Sequence, residues 1–272
     1  MGPGALRPML ELAPAEVPPA VAGFLADSLG IAVGEARILR GGARHRVLTV
    51  GAPERRVVIK LHGPPREGLE DGFERELRLH RFISRQCPGR VPALLAHDAG
   101  LRCLVLEWID GDPLRDQLDG GEAELAAMAD FLVDLNRPAV RNQARVEDLP
   151  MAADGGLRLA DHLARARWRI DRLLQLDPAG FPVRAEMLDW LRGDLMHDWE
   201  RQAIAIAACD DPSVSPVLSP SDFGRHNTLR VRDGSLRFMD FEHAGWDDPA
   251  KLAADFILQP DHPLDDHGAG WF

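Results

Sequence analysis

Lysine is nearly missing from this chain. Of its 32 basic residues only Lys60 and Lys251 are lysines; all others are arginine. A chain that writes arginine almost everywhere keeps lysine where a compact ammonium on a flexible stem is wanted, which draws attention to those two positions. Cysteine is scarce too. Cys87, Cys103 and Cys209 are three in number, widely spaced and without a C-x-x-C pair. That argues against a disulfide framework or a zinc site and for a reducing, cytoplasmic setting. No uncharged apolar run approaches the ~18 residues of a membrane span, and Met1-Gly2-Pro3-Gly4 lacks a basic region ahead of an apolar run. No membrane contact and no signal peptide are therefore expected. Positive charge is in deficit: 32 Lys and Arg against 43 Asp and Glu give a formal net charge of -11. That is the wrong sign for a nucleic-acid binder, which must neutralise phosphates. It keeps the protein soluble and weakly suits a cationic or metal-chelated partner. The sequence G-x4-G-K-[ST] is also missing, which removes a Walker-type phosphate loop.

What is present is an ordinary globular composition, 45% hydrophobic and 28% charged over 272 residues. That length suffices for one large domain or two modest ones. The first third reads as strands: near Ala36–Leu39, Val47–Val50, Val57–Leu61, Ala93–His97 and Arg102–Glu107, with β-branched residues densest at Val57-Val58-Ile59. Helices are expected over residues 16–29 and from about Leu69 to Arg85. After Trp108 the periodicity turns helical, over Glu122–Leu135, Leu157–Leu176, Ala185–Ala208 and Pro249–Leu258. The expectation is an α+β fold with a five-stranded lobe, residues 1–108, and a helical lobe, residues 109–272.

The strongest chemical signal is Pro220-Ser221-Asp222-Phe223-Gly224-Arg225-His226-Asn227 followed by Phe238-Met239-Asp240-Phe241-Glu242. Asp233-Gly234 between them is a hairpin signal. A two-residue turn would set Val231 opposite Leu236, Leu229 opposite Phe238 and Asn227 opposite Asp240. Opposed side chains sit about 5 Å apart at Cβ, so an amide oxygen and a carboxylate would stand together as hard-cation ligands for Mg²⁺. Asp222, on the loop into that end, is a candidate base for a hydroxyl. An ordinary solvent-facing hairpin is the competing reading. The second signal is Lys60 and the helix after it. On a helical wheel Phe73, Glu76, Leu77, His80 and Ile83 form one stripe, while Glu74, Arg75, Arg78 and Arg81 face solvent. Glu76 is then a buried acid in need of a partner, and Lys60 is the candidate. Gly41-Gly42, between two strands, could let backbone N–H groups approach phosphates. In Leu106-Glu107-Trp108-Ile109 a buried strand runs into a polar link whose backbone could bond a flat base, or which merely connects two lobes. Trp246 is equally suited to lining a pocket and to packing. The arginines from Arg158 to Arg172 are interspersed with Asp161 and Asp171 and read as a salt-bridged helix surface.

These residues, in this order, resemble the aminoglycoside phosphotransferase family, which has the protein-kinase-like fold. The resemblance runs from about Ile38 to Phe256. It implies a Mg²⁺-dependent kinase that moves the γ-phosphate of ATP, or of GTP, to the hydroxyl of a small molecule: an aminoglycoside, a sugar or an amino alcohol. It also implies that Lys60 holds the α/β-phosphates with Glu76 behind it, that Gly41 and Gly42 cover the phosphates, and that the backbone of Glu107 and Ile109 binds adenine. Asp222 would orient or deprotonate the acceptor, and Asn227 and Asp240 would ligate Mg²⁺. Pro220-Ser221-Asp222 stands where the family usually writes His-Gly-Asp, with His226 a candidate for the lost hydrogen bond. Leu252 stands where a bracing Asp is usual, with Asp255 one turn on. Relatives usually continue further beyond the metal residue, so a truncated or open acceptor site is expected. The rival is a catalytically degenerate nucleotide-binding or scaffolding protein of the same fold.

Overall fold

The structure is a computed structural model that describes residues 13–41, 45–65, 71–114, 121–177, 182–209, 214–259 and 264. Gly42 and nearly all of the Asp/His-rich tail lie outside the described residues. A six-stranded sheet has the order β1-β2-β3-β4-β6-β5, one strand more than the five expected. The extra strand is β1, Pro14–Ala15, a two-residue edge that pairs with β2, Ala36–Gly41. β3 (His45–Val50), β4 (Val57–His62), β5 (Leu94–Asp98) and β6 (Cys103–Glu107) follow, all antiparallel.

The two-residue period of β4 and β6 sorts their side chains. Val57, Ile59, Cys103 and Val105 face α1, Pro19–Leu29, and pack with Val21 and Leu25. Val58, Leu104 and Leu106 face α2, Gly72–Gln86, and pack with Phe73 and Leu77. Lys60 shares the parity of Val58, so its side chain goes to the α2 face. Pro19 at the start of α1 and Gly30 at φ 62 beyond its end fix that helix's limits, with Gly30 N–H bonded to Ala26 O and Ile31 N–H to Leu25 O. α2 is capped by Asp71, whose carboxylate accepts from Phe73 N and is gripped by Arg102 at 2.6 and 2.7 Å.

Beyond β6 the chain enters a second framework. β7, Gly111–Pro113, pairs with β9, Thr228–Val231, which pairs with β10, Leu236–Phe238. β8, Val217–Ser219, pairs with β11, Gly245–Asp247. Around them lie α3 (Glu122–Leu135), α4 (Pro138–Val146), α5 (Leu159–Leu174), α6 (Pro182–Trp190), α7 (Met196–Ala207) and α8 (Pro249–Ile257). Their core joins Phe131, Phe223, Phe238 and Phe256, with the Phe131 and Phe238 rings stacked at 4.3 Å. The expected helix over 185–208 is two helices separated by a π turn, Leu191–Leu195, that contains Gly193. Trp246 is 8% exposed in this core and has Arg145 over its ring, so it is a packing residue. On α5, Arg167 pairs with Asp171, and Arg165 and Arg169 pair with Asp154.

Candidate active site

The hairpin departs from expectation by one residue. Phe238 stands opposite Thr228 and Leu236 opposite Arg230. Its loop has three residues, Arg232-Asp233-Gly234, with Val231 N–H bonded to Ser235 O and Gly234 N–H to Val231 O. A two-residue type I′ turn needs two positive φ values. Here Gly234 alone has one, at 84°, while the Asp233 carboxylate accepts the Ser235 N–H at 2.8 Å. Asn227 is therefore bonded, through its carbonyl, to Met239 N, not set opposite Asp240. Asp240 lies two residues past the ladder at φ 70, so its backbone leaves the strand and its carboxylate turns to Lys60.

Lys60 is the hub. Its side chain is 5% exposed, and its ammonium lies 3.0 Å from Glu76 Oε1, 2.8 Å from Glu76 Oε2, 2.6 Å from Asp240 Oδ1 and 3.8 Å from Glu242 Oε2. Burial alone would lower the Lys60 pKa, but Glu76, Asp240 and Glu242 outweigh it and raise it. Burial would likewise push the Glu76 carboxyl up, yet Lys60 and His62 hold it down at about 2. Glu242 behaves in the same way: burial opposes, while His243, His45 and Lys60 bring its pKa down. Among the described residues His62, Glu76 and Glu242 bring three ligand atoms within 4.8 Å of one another. Lys60 already reaches two of these groups, so the chain itself supplies the cation they need.

Asp222 occupies the neighbouring loop, after Ser221 at φ 66. Its side chain is 46% exposed. Oδ1 lies 3.1 Å from His226 Nε2 and 3.2 Å from Gln259 Nε2. Asn227 Nδ2 donates to the Asp222 carbonyl at 2.9 Å. The His226 bond lowers the Asp222 pKa against the opposing effect of burial. Asp255 is spent on Lys251, which also reaches the buried Asp247 at 3.2 Å. Both lysines of the chain are thus held by pairs of carboxylates or more. The Glu107 N–H is committed to the Ala93 carbonyl at 2.9 Å, while Arg56 stacks on Trp108 at 4.8 Å.

One expectation about α2 fails. Arg75 is not on a solvated face: it is 4% exposed and donates to Ala244 O at 3.0 Å and to Met151 O. The helix is covered by the sheet on one side and by the segment after Glu242 on another, so almost every face but that of Glu74 and Arg78 is buried. Sequence reading also missed His45, His62 and Gln259. His62 carried a signal, since it follows Lys60 by two residues and so shares its face; it pairs with His45 across β3 and β4. Gln259 had none, because only the end of α8 brings it to Asp222.

The sequence matches the phosphotransferase enzyme family over residues 35–264. No curated protein matches. Among solved structures, a spectinomycin phosphotransferase in complex with ADP and spectinomycin superposes with a TM-score of 0.64 at 12% identity, covering 93% of this chain and 77% of that one. An ADP-bound aminoglycoside phosphotransferase gives 0.61 at 17%, covering 94% and 80%. A choline kinase from Streptococcus pneumoniae gives 0.54 at 12%, covering 93% and 84%. The shared feature is the two-lobed, kinase-like fold, with an antiparallel sheet lobe beside a mainly helical one.

Proposed function

The chain belongs to the phosphotransferase enzyme family, and from that premise we propose that it transfers the γ-phosphate of ATP, with Mg²⁺, to the hydroxyl of a small aminoglycoside-, sugar- or amino-alcohol-type acceptor. The observation that carries this reading is the buried ammonium of Lys60, held between Glu76 and Asp240. An ammonium fixed by carboxylates at a lobe interface is placed to meet phosphate oxygens without itself being consumed.

The lobes divide near Trp108, and the cleft between them takes the nucleotide. The Glu107 carbonyl and the Ile109 N–H take the edge of the base, and Gly41 at the end of β2 brings bare backbone to the phosphates. Three carboxylates, Glu76, Asp240 and Glu242, face the one ammonium of Lys60. Glu76 and Glu242 are also met by His62, His45 and His243, which leaves Asp240, bonded to the ammonium through Oδ1, as the carboxylate suited to a divalent cation. Asn227 Oδ1 and Asp240 would hold Mg²⁺, because Asn227 Nδ2 is turned to the Asp222 carbonyl. When bound, Mg²⁺ supplies neutralisation of charge on the phosphate oxygens. Asp222 takes the proton of the acceptor hydroxyl as its oxygen bonds to phosphorus and the bond to the ADP oxygen breaks. Its lowered pKa keeps it ionised and ready to accept. The acceptors named for the structural neighbours, such as spectinomycin and choline, are cationic hydroxyl compounds. A net charge of -11 is compatible with that class.

A thermal melt with and without Mg²⁺-ATP tests this directly. Ligand at ~100 times its Kd stabilises by about 2.7 kcal/mol, or about 5–10 °C here. The wild type is expected to show a Mg²⁺-dependent shift that Asp240→Ala loses. Equal shifts in both proteins, or none in either, would refute the assignment; none would leave the scaffolding reading.

A further inference from the structure

Asp222 has two carboxylate oxygens, and the structure treats them differently. Oδ1 receives both the His226 ring nitrogen Nε2 at 3.1 Å and the Gln259 amide nitrogen Nε2 at 3.2 Å. Among the described residues Oδ2 has only a long contact, 3.4 Å from Asn227 Nδ2. The His226 side chain is 4% exposed, and its Nδ1 is buried with no hydrogen-bond partner among the described residues. A neutral ring with its proton on Nδ1 would turn a bare nitrogen lone pair toward a carboxylate. The proton therefore belongs on Nε2, where it donates to Oδ1. Gly224 makes room for this ring. A Cβ there would come within 2.9 Å of His226 Nδ1 and 3.0 Å of Cε1.

Resting on the phosphotransfer reading above, we infer that His226 and Gln259 are positioning residues: together they clamp Oδ1 of Asp222, fix the rotation of its carboxylate, and leave Oδ2 as the oxygen that receives the acceptor's proton. The clamp answers the departure at Pro220-Ser221-Asp222. A histidine two residues ahead of the base is missing, and one four residues behind it bonds the base itself. Gln259 contributes from beyond α8, so the end of that helix registers the catalytic loop. Neither residue needs to touch nucleotide or acceptor. Each acts through the orientation of Asp222, and a free carboxylate would sample rotations in which neither oxygen meets the hydroxyl.

Two measurements test the clamp. The first is the imidazole N–H signal of His226 in protein labelled with ¹⁵N-histidine and free of nucleotide, assigned by its disappearance in His226→Gln. A buried, bonded Nε2–H exchanges slowly, so the signal is expected in the wild type and is expected to vanish in Asp222→Ala. No protected signal in the wild type, or one unchanged in Asp222→Ala, overturns the proposal. The second is Mg²⁺-ATP turnover read as phosphate release, with water as the accepting hydroxyl. His226→Ala is expected to lower kcat about 30-fold and Gln259→Ala about fivefold, with KM for ATP within about twofold, because the nucleotide is not their contact. His226→Gln, which keeps an N–H donor, should recover most of the loss. Adding His226→Ala to Asp222→Ala should cost nothing more. Normal kcat in both clamp variants, while Asp222→Ala is impaired, sinks the clamp alone. Wild-type kcat in Asp222→Ala would remove the base role and the clamp with it.

Discussion

Glu74 and Glu76 stand two residues apart on α2 and live in opposite media. Glu74 is exposed, and Glu76 is 1% exposed against Lys60 and His62. Glu76→Gln removes the carboxylate that fixes the ammonium. It is expected to cut phosphate transfer by about 100-fold, the scale of a reacting group displaced by about an ångström. Glu74→Gln is expected to leave transfer intact, and the reverse ranking in steady-state assays would refute the placement of Lys60. A pH signature goes with it. The Glu76 pKa is lowered from 4.5 to about 2 in the folded chain. A depressed carboxylate contributes stability that is present above its unfolded value and lost as pH falls. The wild type should therefore lose stability between about pH 4.5 and about pH 2. Glu76→Gln, less stable at neutral pH, should lose less over the same interval in urea unfolding followed by fluorescence.

At the level of elements, the hairpin of β9 and β10 shows what one turn residue decides. Gly234 alone takes the left-handed conformation, at φ 84, and that fixes the three-residue loop and the register. Nothing lies within 4 Å of where its Cβ would be, so space is not the constraint. Gly234→Ala is expected to cost about 1 kcal/mol through backbone strain alone. Lys60, Glu76 and Asp240 lie outside the loop, so the Mg²⁺-ATP shift should persist in the same melts; its loss would mean that the register had slipped and carried Asp240, or the Arg232–Asp110 pair beside Ile109, with it. The alternation of strands and the stripe on α2 were readable because their periods are short and local. The register was not, since Asp-Gly serves two loop lengths, and the Ser235 N–H donated to the Asp233 carboxylate, together with a positive φ at Gly234 alone, selects between them.

Across the whole molecule, α2 joins the sheet to the helical lobe. Arg78 donates to the carbonyls of Glu147 and Asp148, Arg85 pairs with Glu147, and buried Arg75 holds Ala244 and Met151. These contacts differ in weight. Arg85 is 54% exposed, and a surface pair of this kind contributes less than about 1 kcal/mol. Removing Arg75 strands the buried Ala244 carbonyl, at about 1–3 kcal/mol, and also releases the half-buried one of Met151. Arg75→Met is therefore expected to lower Tm by several degrees, on the order of 5–10 °C, and Arg85→Ala by less than about 3 °C. Equal effects in calorimetry would show that α2 is held by its surface pairs and not by its buried arginine.

The sequence by itself determined strands β2 to β6, helices α1, α2, α3, α5 and α8, and the pairing of Lys60 with Glu76. Scarcity singled out Lys60 and Lys251, and both are held by carboxylates. The helical wheel put Glu76 inward, and a buried acid needs a partner that Lys60, ending the strand before it, could be. These are consequences of local periods, which need no knowledge of the remainder of the chain. Only the tertiary structure decided what surrounds them. It buried Arg75 on a face that the wheel gave to water, because a helix has no way of announcing that a second layer will cover it. It turned Asp240 out of the ladder toward Lys60, and it carried Gln259 to Asp222 from a helix end 37 residues away in sequence. Contacts of that separation are set by how layers close on one another, and no local pattern encodes them.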